Sequence, residues 1–368
     1  MPSPNPLAGL DRIAPYVAGE SGIEGRENVI KLASNEGPFG PSRKTIAALR
    51  DAAGDYHRYP DGDSREVREI IATRHNLDFE QVICGCGSDE LISLLCRSYA
   101  GPGDEILYSA HGFAMYPIYG LTVGADLAAA PETEITVDVD NMLAAITEKT
   151  RLIFVANPNN PTGTYLPEVE LRRLHAGLRD DILLVIDCAY EEYIDEPDYV
   201  DGLDMVREYE NVVALRTFSK IYGMGGIRLG WGYFPPEVAD IMNRMRSPFN
   251  VSYPAQVSGA VALQDTDFID MSRAHNKKWL TWTTDQIRSL GLTVPDSFAN
   301  FLIVRFPPKD PSDSGRKLDA TAADNFLKSK GIIVRRLAGY GLPDALRISI
   351  GLEEEMREVV NALAAFLE

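Results

Sequence analysis

Five short apolar runs, each closed by turn residues, restrict this chain more than any other feature. They are QVICG (81–85), DEILYS (104–109), RLIFVAN (151–157), DILLVID (181–187) and NVVALRT (211–217). None shows the apolar–polar alternation of a strand with one wet face, so each reads as a strand covered on both sides. Stretches with apolar residues at helical spacing lie before and between them: RKTIAALRDAA (43–53), SREVREIIATRH (64–75), DELISLLCRSYA (89–100) and LPEVELRRLHAGLR (166–179). Such alternation predicts an α/β fold, with a mainly parallel sheet held between helices.

The texture changes near residue 254. A long helical stretch runs, with interruptions, to about 291, and a smaller α+β pattern follows. That pattern comprises FANFLIVRF, a helix near 318–330, GIIVRR, ALRISIG and a final helix at 353–367. The polar PPKDPSDSGRK (307–317) reads as an exposed loop. The expected organisation is an N-terminal arm over 1–40 that packs with the small domain, a large domain over 41–285, and a small α+β domain over 286–368. Gly291 and Pro295 mark the boundary region.

Charge removes several function classes. Against 36 Lys and Arg stand 54 Asp and Glu, a net charge of −18. That balance opposes sequence-independent nucleic-acid binding and docking on anionic lipid. It permits anionic small substrates, because a pocket can be locally basic. No apolar run is long enough for a membrane helix, and MPSPNPLAGLDRIAPY lacks the basic and apolar regions of a secretion signal. Cys84, Cys86, Cys96 and Cys188 make no disulfide framework, and the five histidines supply no partner cluster for a metal. No metal is expected, and the cytoplasm is the expected address.

Ligands of such sheets bind beyond the carboxyl ends of the strands. Directly after QVIC comes Gly85-Cys86-Gly87-Ser88-Asp89-Glu90 and then a helix. Bare backbone and free helix N–H groups there can seat a phosphate, although a plain N-capped turn explains the same residues. After RLIFVA comes Asn157-Pro158-Asn159-Asn160-Pro161-Thr162-Gly163, an irregular turn whose amides could reach a ligand hydroxyl or serve only the loop. After DILLVI comes Asp187, with Tyr190 close behind. A carboxylate at the buried end of a strand needs a cation or hydrogen bonds, and a protonated ring nitrogen is one such cation. After NVVALR come Thr217-Phe218-Ser219-Lys220, a glycine-rich stretch and Arg228. An amine set among small and apolar residues is a candidate nucleophile, and Ser219 and Arg228 suit a phosphate. The dinucleotide fingerprint fails at both glycine-rich sites, where Glu90 and Arg228 occupy the third glycine's place.

These motifs, in this order, resemble those of the fold-type I pyridoxal-phosphate (PLP) aminotransferases. TFSKIYGMGGIRLGWG is similar to that family's lysine motif, and NPNNPTG and DCAYEEY to its other signatures. KLASNEGPFGPS, YPDG, GCGSDE, HGFAMYPIYG, SPFNVSYPAQ and GIIVRRLAGYGLPDALRISIGLEEE extend the likeness over most of the chain and bring it nearest to the histidinol-phosphate branch. The resemblance implies reversible amino transfer from histidinol phosphate to 2-oxoglutarate, giving imidazole-acetol phosphate and glutamate, by a homodimer. Aromatic amino acids, or decarboxylation of a phosphorylated amino acid, are the alternatives.

The resemblance also implies roles. Lys220 holds the cofactor and shuttles a proton, and Asp187 pairs with the ring nitrogen. Asn160 and Tyr190 bond the ring hydroxyl, and Phe113 stacks on the ring. Ser88, Asp89, Ser219 and Arg228 bind its phosphate, and Tyr59 reaches the phosphate of the neighbouring subunit. Arg347 clamps the glutamate carboxylate, while Arg335, Tyr16 and Asn35 surround the substrate. Two departures stand out: Gly37 replaces an amide in Asn-Glu-Gly-Pro, and Gly225-Gly226 stands where alanine is usual at the first position.

Overall fold

The computed structural model describes residues 9–14, 20–307 and 318–368. Tyr16, and all of the 307–317 stretch beyond Pro307, lie outside the described residues. In chain order the strands are β1 (Ile30–Lys31), β2 (Val82–Gly85), β3 (Glu105–Ser109), β4 (Asp126–Ala130), β5 (Thr150–Ala156), β6 (Leu183–Asp187), β7 (Val212–Thr217), β8 (Gly230–Tyr233), β9 (Phe301–Arg305), β10 (Ile332–Ile333), β11 (Arg335–Arg336) and β12 (Ala345–Ser349).

Seven of them form one sheet in the order β2-β8-β7-β6-β5-β3-β4. The run β4-β3-β5-β6-β7 is parallel throughout. Only β8 is reversed, pairing antiparallel with β7 and β2. The five apolar runs are all here, and their unbroken apolarity has the expected cause. Leu152 and Phe154 of β5, Val185 of β6 and Leu215 of β7 enter one core, and Ile153, Val155, Leu184, Ile186 and Ala214 enter the other. Each such aliphatic or aromatic side chain taken from water contributes roughly 1.5–3 kcal/mol. Helices cover both faces; Arg65–His75 packs on one and Ser88–Tyr99 on the other.

The smaller unit has its own sheet, β11-β12-β9, and its own core of Leu302, Val304, Leu346, Ile348, Val359 and Leu363. The helical stretch after 254 resolves into two helices, Tyr253–Gln264 and Thr266–Ser289, broken at Asp265. The second serves both cores: Ile269 packs in the large one, Trp279 and Ile287 in the small one. The change of core therefore falls inside this helix. The arm joins the small unit directly, since β1 pairs in parallel with β10 and Leu32 enters the small core.

Candidate active site

The carboxyl ends of β5, β6 and β7, the N-terminus of helix Ser88–Tyr99 and the arm enclose a cavity of ≈ 250 Å³. Its wall includes Ser88, Asp89, Phe113, Asn160, Asp187 and Tyr190. Ser219, Lys220 and Arg228 complete its chemically active part, with Ser34 and Glu36 added from the arm. Four motifs up to about 140 residues apart thus meet in one place, because parallel strands deliver every strand-to-helix turn to the same edge.

Asp187 closes β6 and is buried. Its Oδ2 accepts a hydrogen bond from the Tyr116 hydroxyl at 2.9 Å, while its Oδ1 is buried without a partner. Burial pushes the carboxyl up to about 6; the Tyr116 bond, the Ala189 N–H and the Lys220 ammonium oppose that rise, and Asp89 adds to it. A buried carboxylate oxygen with nothing to bond is costly. A cationic ring nitrogen is the kind of partner it fits.

Lys220 Nζ lies 5.5 Å from the centre of the Tyr190 ring. The Tyr190 hydroxyl accepts from Asn35 Nδ2 at 2.9 Å. The turn that carries Tyr190 is tied down by the fully buried Arg216, which pairs with Glu191 and Asp201. Asn160 presents its Oδ1 to Arg347 Nη1 at 2.5 Å. The preceding turn is held by Asn157, whose amide exchanges bonds with both the N–H and the carbonyl of Leu166.

Ser88, Ser219 and Arg228 line one part of the wall and could seat an anion. Arg228 Nη1 donates to Gly225 O at 3.0 Å and to Ser219 Oγ at 3.4 Å, and Nη2 lies 3.3 Å from Asp89 Oδ2. Ser219 is oriented by Thr217, whose Oγ1 accepts its N–H at 3.2 Å. Burial raises the Asp89 carboxyl, against the pull of Arg228 and Lys220. Gly87 leaves room for the Arg228 guanidinium. It adopts φ +80°, and a Cβ there would stand 2.5 Å from Arg228 Nη2. Gly37, the departure noted in the arm, also has a steric reason: a Cβ would stand 2.9 Å from the Lys220 carbonyl.

Several expected residues are not in the wall. Asn35 is buried behind it, bonded to Tyr190, Ser349 and Asn300 rather than facing the cavity. Arg347 is buried behind Asn160, also donating to Ala33 O at 2.9 Å. Arg335 sits opposite Arg347 in the β11–β12 register, which sets two cations on one face of the small sheet. Tyr59 is 82% exposed and stacks on Phe249 at 4.7 Å, away from this cavity. From the sequence Tyr116 reads as lining a pocket for the substrate's aromatic ring, whereas here its hydroxyl is spent on Asp187; Thr217 carried no signal, and the one available for the Tyr116 bond was a tyrosine in an apolar helix, which when buried needs a polar partner. Among the described residues no group of His, Cys, Asp and Glu is arranged to hold a metal.

A wall with an amine, an unpartnered carboxylate oxygen, an aromatic face and an anion seat suits a planar cationic ring bearing an aldehyde and a phosphate. Comparisons agree. The model of the family "aminotransferase class I and II" matches residues 27–363. The chain is similar to the histidinol-phosphate aminotransferase of Paramagnetospirillum magneticum, 54% identical over 367 residues, which are 100% of this chain and 99% of the relative. That of Rhodospirillum rubrum is 51% identical over 99% of this chain and 97% of its own. The structure of Sinorhizobium meliloti histidinol-phosphate aminotransferase with pyridoxal-5′-phosphate matches with a TM-score of 0.84 at 26% identity, over 93% of this chain and 92% of that one.

Proposed function

Because this chain belongs to the class I and II aminotransferases, with their fold-type I architecture, we propose that it moves the amino group of histidinol phosphate to 2-oxoglutarate, yielding imidazole-acetol phosphate and glutamate. The cofactor is pyridoxal 5′-phosphate. The observation that carries the reading is the buried, unpartnered Oδ1 of Asp187 in one cavity with Lys220 and the Ser219–Arg228 anion seat. Full-length identity to histidinol-phosphate aminotransferases supports the choice of substrate.

When bound, the cofactor supplies a conjugated electron sink for the carbon that carries the amino group. Asp187 Oδ1 keeps the ring nitrogen protonated. Lys220 would hold the cofactor and would serve as the base that moves the proton at the amine-bearing carbon. Ser88, Asp89 through its backbone, Ser219 and Arg228 hold the phosphate at the helix N-terminus. Phe113 covers the ring face, and Tyr190 and Asn160 orient the ring hydroxyl. Arg347, already oriented by Asn160 and Ala33, takes the glutamate carboxylate as a planar fork. Arg335, beside it in the sheet register, adds charge for the substrate phosphate. Asn35 completes this group through the Tyr190 hydroxyl, and for Tyr16 the family resemblance implies a role toward the substrate. The protein works as a homodimer in the cytoplasm, with the exposed Tyr59 reaching the partner's phosphate seat. Among the described residues no helix is long and apolar enough to cross a membrane.

The test is a steady-state comparison of histidinol phosphate, tyrosine and phenylalanine as donors to 2-oxoglutarate. Histidinol phosphate should give the highest kcat/KM, with glutamate formed and no carbon dioxide. A higher value for tyrosine would overturn the substrate assignment, and carbon dioxide release would overturn the reaction.

A further inference from the structure

Tyr116 lies in the first turn of the helix Met115–Thr122 and is completely buried. Its ring stacks on Phe154 of β5 at 4.6 Å with 10° between the planes, and meets Phe113 edge-on at 5.6 Å. Two aromatic neighbours leave the phenol little rotational freedom, and its hydroxyl ends 2.9 Å from Asp187 Oδ2. The other carboxylate oxygen is the one without a partner. A carboxylate can rotate about its terminal torsion, which is broad and roughly two-fold. Here one oxygen is anchored, so the other is aimed.

We propose that Tyr116 is a positioning residue that anchors the Asp187 carboxylate by Oδ2 and thereby presents Oδ1 to the ring nitrogen of the cofactor, fixing the proton on that nitrogen. The inference rests on the reading of this site as a pyridoxal-phosphate site. Two effects follow from one hydroxyl. The first is geometric, since Oδ1 needs no reorganisation when the ring arrives. The second is electrostatic, since a hydrogen bond to the carboxylate favours its charged form and leaves the shared proton on nitrogen. The ionisable groups facing Asp187 are Tyr116 on its helix, Asp89 on the helix Ser88–Tyr99, Lys220 after β7, and Cys188 beside it in sequence. Burial and the neighbouring Asp187 push the Tyr116 phenol well above its ordinary range, so it remains a donor at every working pH.

Tyr116→Phe keeps the ring stack and deletes only the donor. The cofactor is ¹⁵N-labelled pyridoxal phosphate, bound to the full-length protein and read by NMR and by equilibrium titration. In the wild type the ring nitrogen should resonate in the protonated range between pH 6 and 9. In Y116F it should move toward the neutral-pyridine range, and cofactor affinity should fall about tenfold, the scale of one lost hydrogen bond to a charged group. The same substitution in a D187N background should change affinity less than twofold, because its route of action is gone. Phe154→Leu, which disturbs the packing but spares the hydroxyl, should leave the nitrogen signal in the protonated range. An equal loss in both backgrounds would overturn the proposal in favour of a packing role, as would a Y116F protein with unchanged signal and affinity. A wild type that takes up no pyridoxal phosphate would overturn the underlying reading, and the proposal with it.

Discussion

Asn35 offers a quantitative check of how the arm, the small unit and the site are joined. It is 1% exposed and holds φ +56°. Its side chain donates to the Tyr190 hydroxyl at 2.9 Å and accepts from Ser349 Oγ at 3.1 Å. Its backbone N–H and carbonyl bond Ser349 Oγ and Asn300 Nδ2. Asn35→Gly keeps the backbone bonds and the left-handed conformation but leaves two buried hydroxyls short of a partner. At about 1–3 kcal/mol per unsatisfied buried group, the expected loss is about 2–6 kcal/mol. Asn35→Ala loses the same bonds and adds left-handed strain of about 1–2 kcal/mol, offset in part by a stiffer unfolded chain. The predicted order of urea midpoints for the cofactor-free protein is wild type, then Gly, then Ala. Both variants should also bind pyridoxal phosphate about tenfold more weakly, because the Tyr190 hydroxyl is no longer held. An Ala variant as stable as the Gly variant would refute the backbone argument. A Gly variant within about 0.5 kcal/mol of wild type would show the network to be idle, as changes of that size are typical of surface sites.

Other perturbations have equally definite outcomes. Lys220→Ala should bind pyridoxal phosphate without a covalent link and lose turnover by about 10³-fold or more in a glutamate-formation assay, removing both anchor and base. Gly87→Ala would place a methyl group 2.5 Å from Arg228 Nη2, and should weaken cofactor binding about 10–100-fold by isothermal titration. Asp187 is pushed up to about 6 from its ordinary 3.8. A raised folded-state value contributes stability that is complete below about pH 4 and is lost as pH rises through about 6. Relative to D187N, the cofactor-free wild type should therefore lose about 2 kcal/mol between pH 4 and 7 in urea unfolding. Arg347→Lys should raise KM for 2-oxoglutarate about tenfold or more, since an ammonium cannot match a planar carboxylate with two parallel bonds.

Much of this architecture was legible because burial on both faces leaves a plain mark. β5, β6 and β7 read as strands since every residue from Leu183 to Asp187, for example, is buried. Their turns read as the site because Asp187 is expensive to place at the buried end of a strand without a purpose, and because Lys220 follows β7 among small and apolar residues. β8 was not legible: GWGY carries two glycines, which favour no strand. β4, DLAAA, lies at the sheet edge and lacks bulky apolar residues. The contacts of the anchors behind the wall were hidden for another reason. Tyr116 meets Asp187 across 71 residues and Asn35 meets Tyr190 across 155, and no local pattern encodes contacts between segments so far apart. The split of α-helical residues between two cores was equally invisible, because Thr266–Ser289 is one continuous amphipathic helix whichever core each turn faces.

The central claim is that the Lys220 amine carries pyridoxal phosphate in the resting enzyme. Borohydride reduction of the cofactor-loaded protein, followed by proteolysis and mass spectrometry, measures this directly. A phosphopyridoxyl group on the peptide containing Lys220 is the predicted result. Its absence there, or its presence on a different lysine, would contradict the account.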